Sequence, residues 1–218
     1  MLQERINQCR VLMSEVSQNK QKDQENQNIA RKNNTFFDTY NNYYVPLMQS
    51  YIVARTYKQV EFSEKVNSEI SKITEYTKKT FEQKVVINPI KYQEGLKKLS
   101  DSIEKEWNNQ TEQYLSDITE KLSILRLVSN EKQEIQKILI GFNNFSKWPV
   151  TDDKLFVYEN AYERANNMLE NIKFDKEISC FLKKIKNKEA TLLDLTDPIR
   201  EWITRENLAG NIMLNIRN

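Results

Sequence analysis

The sequence predicts an all-α protein: a long antiparallel helical hairpin of coiled-coil type, a smaller C-terminal bundle of short helices, and a short extended tail. Three observations carry that prediction. Residues 47–140 hold one proline, Pro89, and one glycine, Gly95. Apolar residues in that stretch recur at steps of three and four, the period of a helix face. Beyond it, cap signals at Thr151-Asp152, Asp175 and Thr196-Asp197-Pro198 cut the remainder into short helices. Three segments follow: an N-terminal amphipathic helix with a polar extension (1–34), the hairpin (35–142, hinged near 88–89), and a C-terminal helical subdomain (143–218).

Leu2, Ile6, Cys9, Met13 and Val16 fall at helical spacing and open the chain as an amphipathic helix. Residues 17–34 are rich in Gln, Asn and Lys, with Ile29 and Ala30 as the apolar exceptions. Composition leaves a solvated helix and a mobile linker both open there; a helical extension that breaks near Asn33-Asn34 is preferred.

An aromatic cluster comes next. Phe36, Tyr40, Tyr43 and Tyr51, with Leu47 between them, form one stripe, and the doublets Phe36-Phe37 and Tyr43-Tyr44 widen it. Such a helix packs on more than one side. Pro46 kinks it or sits in the first turn of a new helix. Val66, Ile70, Ile73, Thr77 and Phe81 continue the seam. Asn88-Pro89 then supplies a cap and a first turn. Leu96, Leu99, Ile103, Trp107, Gln110, Tyr114, Ile118, Leu122 and Leu125 make the second seam. Two arms of about 40 residues, each about 60 Å long at the helical rise, bury both seams only when antiparallel. Gln110 is a polar break that fixes register or marks where another chain docks.

A further helix is expected after Asn130, with Gln133 in capping-box position and Ile135, Ile138, Leu139 and Phe142 on its apolar face. Composition shifts at Gly141, and residues 142–149 read as a structured loop. Three short helices follow, the last expected to stop at Gly210. Ile212, Leu214 and Ile216 read as an extended tail that pairs with Val85-Val86-Ile87, packs as an apolar arm, or adds to a sheet in another protein.

The residue inventory restricts the chemistry. There is no histidine, so no histidine base, catalytic triad or histidine metal ligand. Three glycines in 218 residues leave no phosphate-binding loop and no dinucleotide fingerprint. Ser17-x-x-Lys20 and Ser129-x-x-Lys132 match a nucleophile spacing that a Lys-rich helical chain produces by chance. Asp152, Asp153, Asp194 and Asp197 suit a divalent cation, but helix capping explains most of them. No catalytic residue, cofactor or metal site is therefore assigned.

Charge adds little at the level of the whole molecule, where the net is +2. Locally, Lys173, Lys176, Lys183, Lys184, Lys186 and Lys188 face only Asp175 and Glu177. A cluster of that kind contacts nucleic-acid phosphates or forms a solvated face. Cys9 and Cys180 match no metal or redox spacing and read as reduced thiols. The polar N-terminus is not a signal peptide, and no window approaches the roughly 18 apolar residues of a membrane span. The expected location is cytoplasmic, without a membrane partner.

These features point to a non-enzymatic helical adaptor or accessory subunit that binds another protein chain, either itself or a larger subunit. The surfaces proposed are Phe36, Phe37, Tyr40, Tyr43, Tyr44 and Tyr51, together with the tail at Ile212, Leu214 and Ile216. The alternative is nucleic-acid binding through the 173–188 lysines. In general plan the chain is similar to small helical accessory subunits encoded beside large ATPases or nucleases in bacterial operons, phage-defence systems included; that likeness is one of architecture.

Overall fold

A computed structural model describes residues 2–82, 88–172 and 175–212, with side chains from residue 7 onward. The all-α class holds. Among the described residues there are eight α-helices and no strand: α1 (Leu2–Thr39), α2 (Val45–Thr56), α3 (Glu64–Phe81), α4 (Pro89–Val128), α5 (Lys132–Phe145), α6 (Asp152–Asn171), α7 (Lys176–Lys186) and α8 (Asp197–Arg205). A π-helical turn, Tyr40–Tyr44, joins α1 to α2. Two compact units result. One comprises Met1–Gln49 with Ser63–Ser102, the other Ser50–Phe62 with Ile103–Asn218. The division crosses α2 and α4, away from the composition shifts at residues 34 and 142.

In the first unit α1 runs without a break through Asn33-Asn34 and ends only at Thr39. The interruption is displaced to the π-turn, and Pro46 explains why. Proline has no N–H and its ring crowds the carbonyl four residues back. A turn widened by one residue relieves both conflicts, and the Val45 N–H bonds to Tyr40 O across it. That extra residue also shifts the helix face. Tyr44, not Tyr43, stacks on Tyr40 at 5.2 Å and approaches Tyr92. Tyr43 is turned outward, contrary to its expected place in the stripe.

α3 and α4 each start on a side-chain cap, of which Asn88 is the one expected from the sequence. Ser63 caps α3 by accepting the Val66 N–H at 3.3 Å. Asn88 caps α4 by accepting the Lys91 N–H at 3.1 Å, with Pro89 as first residue. The two helices run antiparallel: Thr77 meets Tyr92 at 2.8 Å, and Gly95 lies beside Ile73. Thr77 Oγ1 already donates to Ile73 O, so the Tyr92 hydroxyl is the donor in their bond. Burial raises the Tyr92 pKa, and the phenol stays neutral. Residues 83–87, and with them the proposed strand partner Val85-Val86-Ile87, lie outside the described residues.

The first arm is not one helix from 47 to 87. It breaks after Thr56, and residues 57–63 are non-helical. The break is held by Gln110, in the second unit. Its side-chain oxygen accepts the Glu61 N–H at 3.0 Å and its amide donates to Glu61 O at 2.8 Å. A primary amide carries one donor and one acceptor side by side, the pattern that one extended residue presents. The polar break in the α4 seam therefore docks a loop of its own chain.

Around that clamp the second unit is built on Trp107, fully buried, whose Nε1 donates to Phe145 O at 3.0 Å. The centre of the α4 seam passes through Thr111 and Leu115, while Gln110 and Tyr114 sit half-buried beside it. Thr111 satisfies its hydroxyl on Trp107 O at 2.7 Å. Gly141 lies inside α5, where a Cβ would stand 3.2 Å from Ala161 Cβ. Its absence of side chain lets α5 and α6 approach closely, and that is the meaning of the expected composition shift. Thr151 and Asp175 cap α6 and α7 as expected, accepting the Lys154 and Ile178 N–H groups.

Two expected end signals are reassigned. Asn130 does not cap α5: Ser129 accepts the Glu131 N–H, and Asn130 accepts from Asn211 at 2.8 Å. Gly210 does not stop α8: Asn207 does, with φ 53°, as the Leu208 N–H reaches back to Ile203 O. α7 ends the same way on Lys188, φ 60°, with the Glu189 N–H on Lys184 O. In a chain with three glycines the left-handed end positions fall to other residues.

Candidate protein-binding surfaces

The most exposed element is α1. Every residue from 7 to 32 is solvent-exposed. Val11, Leu12, Met13, Val16 and Ile29 are among the large apolar side chains on it, Met13 at 75% exposure. The sequence shows the amphipathic spacing here but not that its apolar face is left open. The signal was present in the stripe itself; only the missing cover was invisible.

At the base of α1 the aromatic cluster divides. Phe36 is buried at the hub, with ring centroids of Phe37, Phe81 and Tyr92 between 5.0 and 5.9 Å away. Tyr40 and Tyr44 are half-buried, and Tyr51 is buried against Phe62 in the second unit. Phe36 and Tyr51 thus present no side-chain surface. Phe37 (47% exposed) and Tyr43 (52%) do, and Phe81 (47%) joins Phe37 at 5.8 Å. The spacing places Phe81 in the seam; its ring does meet Phe36 and Tyr40, but it stands at the exposed edge of the cluster.

The lysine segment is partly neutralised by the fold. Lys183 pairs with Glu120 at 3.0 Å, and Lys184 pairs with Asp194. Asp194 also accepts the Thr191 N–H and hydroxyl, both at 2.8 Å. The Lys184 ammonium and then the Thr191 donors lower the Asp194 pKa to about 2. Lys176, Lys186 and Lys188 are exposed; Lys173 lies outside the described residues. The turn that Asp194 ties, Leu192–Asp194, projects Leu193 at 92% exposure, a feature no periodicity announces. Of the tail, Ile212 is extended and half-buried; Leu214 and Ile216 lie outside the described residues.

A cluster of tyrosine hydroxyls lies in the second unit. Tyr57 and Tyr158 share a hydrogen bond of 2.7 Å, and Tyr114 donates to Tyr162 at 3.0 Å. Burial is the first cause that raises Tyr57, Tyr158 and Tyr114, so all three are neutral phenols near pH 7. The Tyr57 ring packs on Trp107 and Phe145, Tyr158 stacks on Phe145 at 3.9 Å, and Tyr114 packs on Tyr57. The aspartates considered for a cation are dispersed into other roles. Asp152 and Asp153 open α6, Asp194 holds its turn, and Asp197 lies 3.6 Å from Arg200. Among the described residues no group of three or more His, Cys, Asp or Glu is placed to hold a metal ion, and no helix is long and apolar enough to cross a membrane.

No protein-family model matches the chain, and neither a curated protein nor a solved structure matches it.

Proposed function

We propose that this chain is a non-enzymatic helical adaptor, an accessory subunit that works by binding another protein chain within a larger assembly. The observation that carries this is α1: a helix of 38 residues whose span from 7 to 32 is exposed and carries large apolar side chains. Isolated helices gain most of their stability from packing an apolar face, so an uncovered one is built to be covered. The exposed rim of Phe37, Tyr43 and Phe81 at the base of α1 extends the same surface. On architecture alone we place the assembly among those built on a large ATPase or nuclease, with bacterial phage defence as the setting. Nucleic-acid binding is the weaker alternative, because Lys183 and Lys184 already have carboxylate partners in the chain.

Affinity purification of the tagged full chain from its own host tests the proposal. A second chain in stoichiometric amount is expected, and its loss when Val11, Met13 and Val16 are changed to Asn. Recovery of the chain without any protein partner, itself included, would sink it. A binding titration with duplex and single-stranded DNA and RNA at low salt tests the alternative, which a flat response removes.

A further inference from the structure

We propose that a cleft in the second unit, where the ends of α4, α6 and α8 meet the start of α5, binds a short aliphatic diamine. No residue of α1 takes part, so this site is independent of the adaptor reading.

The cleft has a volume of about 240 Å³. Its floor is apolar: Leu125 and Leu208 are buried, and Met168 and Ile172 are half-buried. Its rim is polar, with Asn130, Glu131 and Asn171 exposed and Glu206 half-buried. A concave site with an apolar floor and a few converging polar groups suits a small molecule that has both characters.

Electrostatics fix the sign of that molecule. Three helices bring their C-terminal ends to the cleft. Leu125 lies in the last turn of α4, Met168 and Asn171 in the last turn of α6, and Glu206 directly follows α8. Each such end carries a partial charge of about −0.5, against about +0.5 at the one helix start present, that of α5. Two carboxylates, Glu131 and Glu206, add to these. Among the described residues the cation that answers them is Arg205, whose Nε lies 2.8 Å from Glu206 Oε1. Helix ends and side chains together leave a surplus of about two negative charges. A dication balances that surplus.

The acceptors are available for it. Glu131 holds the N-cap position of α5 but makes no cap bond with its side chain. Two contacts within the chain already show that donors are drawn to these helix ends. Arg205 Nη2 donates to Ile172 O at 3.3 Å, and Asn211 Nδ2 donates to Val128 O at 2.7 Å. An ammonium carries three donors and no acceptor, the complement of a rim of carboxylate and amide oxygens. The floor separates a diamine from a metal ion. A polymethylene stem laid on Leu125, Met168 and Leu208 leaves water, whereas a hydrated ion gains nothing from an apolar surface.

The full-length chain is titrated with putrescine at constant ionic strength. The side-chain amides of Asn130 and Asn171 and the methyl groups of Leu125 and Met168 are followed by NMR. Saturable shifts are expected at all four. Butylamine, with one ammonium, is expected to bind about fivefold more weakly. Butanediol and Mg²⁺ are expected to give no saturable shift there. Glu131→Gln should weaken putrescine binding about fivefold, while Glu163→Gln, elsewhere on α6, should change nothing. Asn171→Lys sets an ammonium of the chain's own at the rim and should abolish binding. These three side chains are exposed, so an undiminished urea midpoint confirms that the variants fold. Absence of any shift overturns the proposal. So does an equal response to Mg²⁺, which would be charge alone, or to butanediol, which would be apolar contact alone. Butylamine binding as tightly as putrescine overturns the diamine in favour of a single ammonium, such as a lysine of another chain. Putrescine binding indifferent to both Glu131→Gln and Asn171→Lys overturns the site. The adaptor proposal stands or falls separately, on copurification through α1.

Discussion

α1 and α4 are nearly the same length, 38 and 40 residues, and they are opposite in burial. α4 buries an unbroken face, from Tyr92 through Leu99, Trp107, Leu115 and Leu122 to Val128. α1 is exposed from residue 7 to residue 32. Backbone hydrogen bonding is alike in both, so length and helicity say nothing about which helix holds the fold together. What separates them is cover. α4 lies among helices of its own chain, while the apolar positions of α1 from Val11 to Ile29 lie in water.

The largest test of this contrast is a matched pair of truncations in a urea transition at a dilution where the chain is monomeric. Trp107→Ala should cost about 3–5 kcal/mol, since it empties a buried site and leaves Phe145 O without its donor. Met13→Ala should shift the same transition by less than about 0.5 kcal/mol, as exposed positions do. Equal losses would mean that α1 is part of the cooperative core. The contrast is sharpened at Gln110, on the polar shoulder of α4. Gln110→Ala removes both bonds to Glu61 and should cost about 1–2 kcal/mol. Hydrogen exchange at the Glu61 amide should quicken with it; an unchanged exchange rate would show that the loop is held by other contacts.

Two smaller effects show that exposure alone does not make a position neutral. Lys188 closes α7 at φ 60°, a conformation that glycine adopts without strain. Lys188→Gly is expected to stabilise by about 0.5–1 kcal/mol, read as a higher urea midpoint; a lower midpoint argues against strain there. Last is the turn at Leu192–Asp194. Asp194 has a folded pKa of about 2 against an ordinary value of 3.8. The depressed value means that its support is complete above the ordinary carboxylate range and is lost as pH falls through about 2. The Thr191 amide resonance should stay fixed from neutral pH to pH 4 or so and move only below that. Movement already at neutral pH in wild type, or the same low-pH movement in Asp194→Asn, would show that the carboxylate does not hold the turn.

Much of the architecture was legible because its signals are local. A cap needs a side chain within three residues of the amide it satisfies, so Asn88, Thr151 and Asp175 could be read directly. The same holds for the α4 seam, which is a periodicity. Failures came where a neighbour distant in sequence overrides a local preference. The break at residues 57–63 depends on Gln110, some fifty positions on, and no window of sequence contains both. The exposure of Tyr43 in place of Tyr44 depends on one extra residue in the π-turn that Pro46 imposes. Gly141, a loop signal by composition, is a contact point because α6 lies against it.

The amino-acid sequence by itself determined the helical class, the caps at Asn88, Thr151 and Asp175, and the lack of any histidine. Those properties reside in single residues or in their spacing along the chain. Only the tertiary structure decided which faces are covered. It buried Phe36 and Tyr51, opened Phe37 and Phe81, gave Lys183 and Lys184 carboxylate partners, and left the apolar face of α1 in water. Cover is a property of two surfaces, and one helix read alone contains only its own.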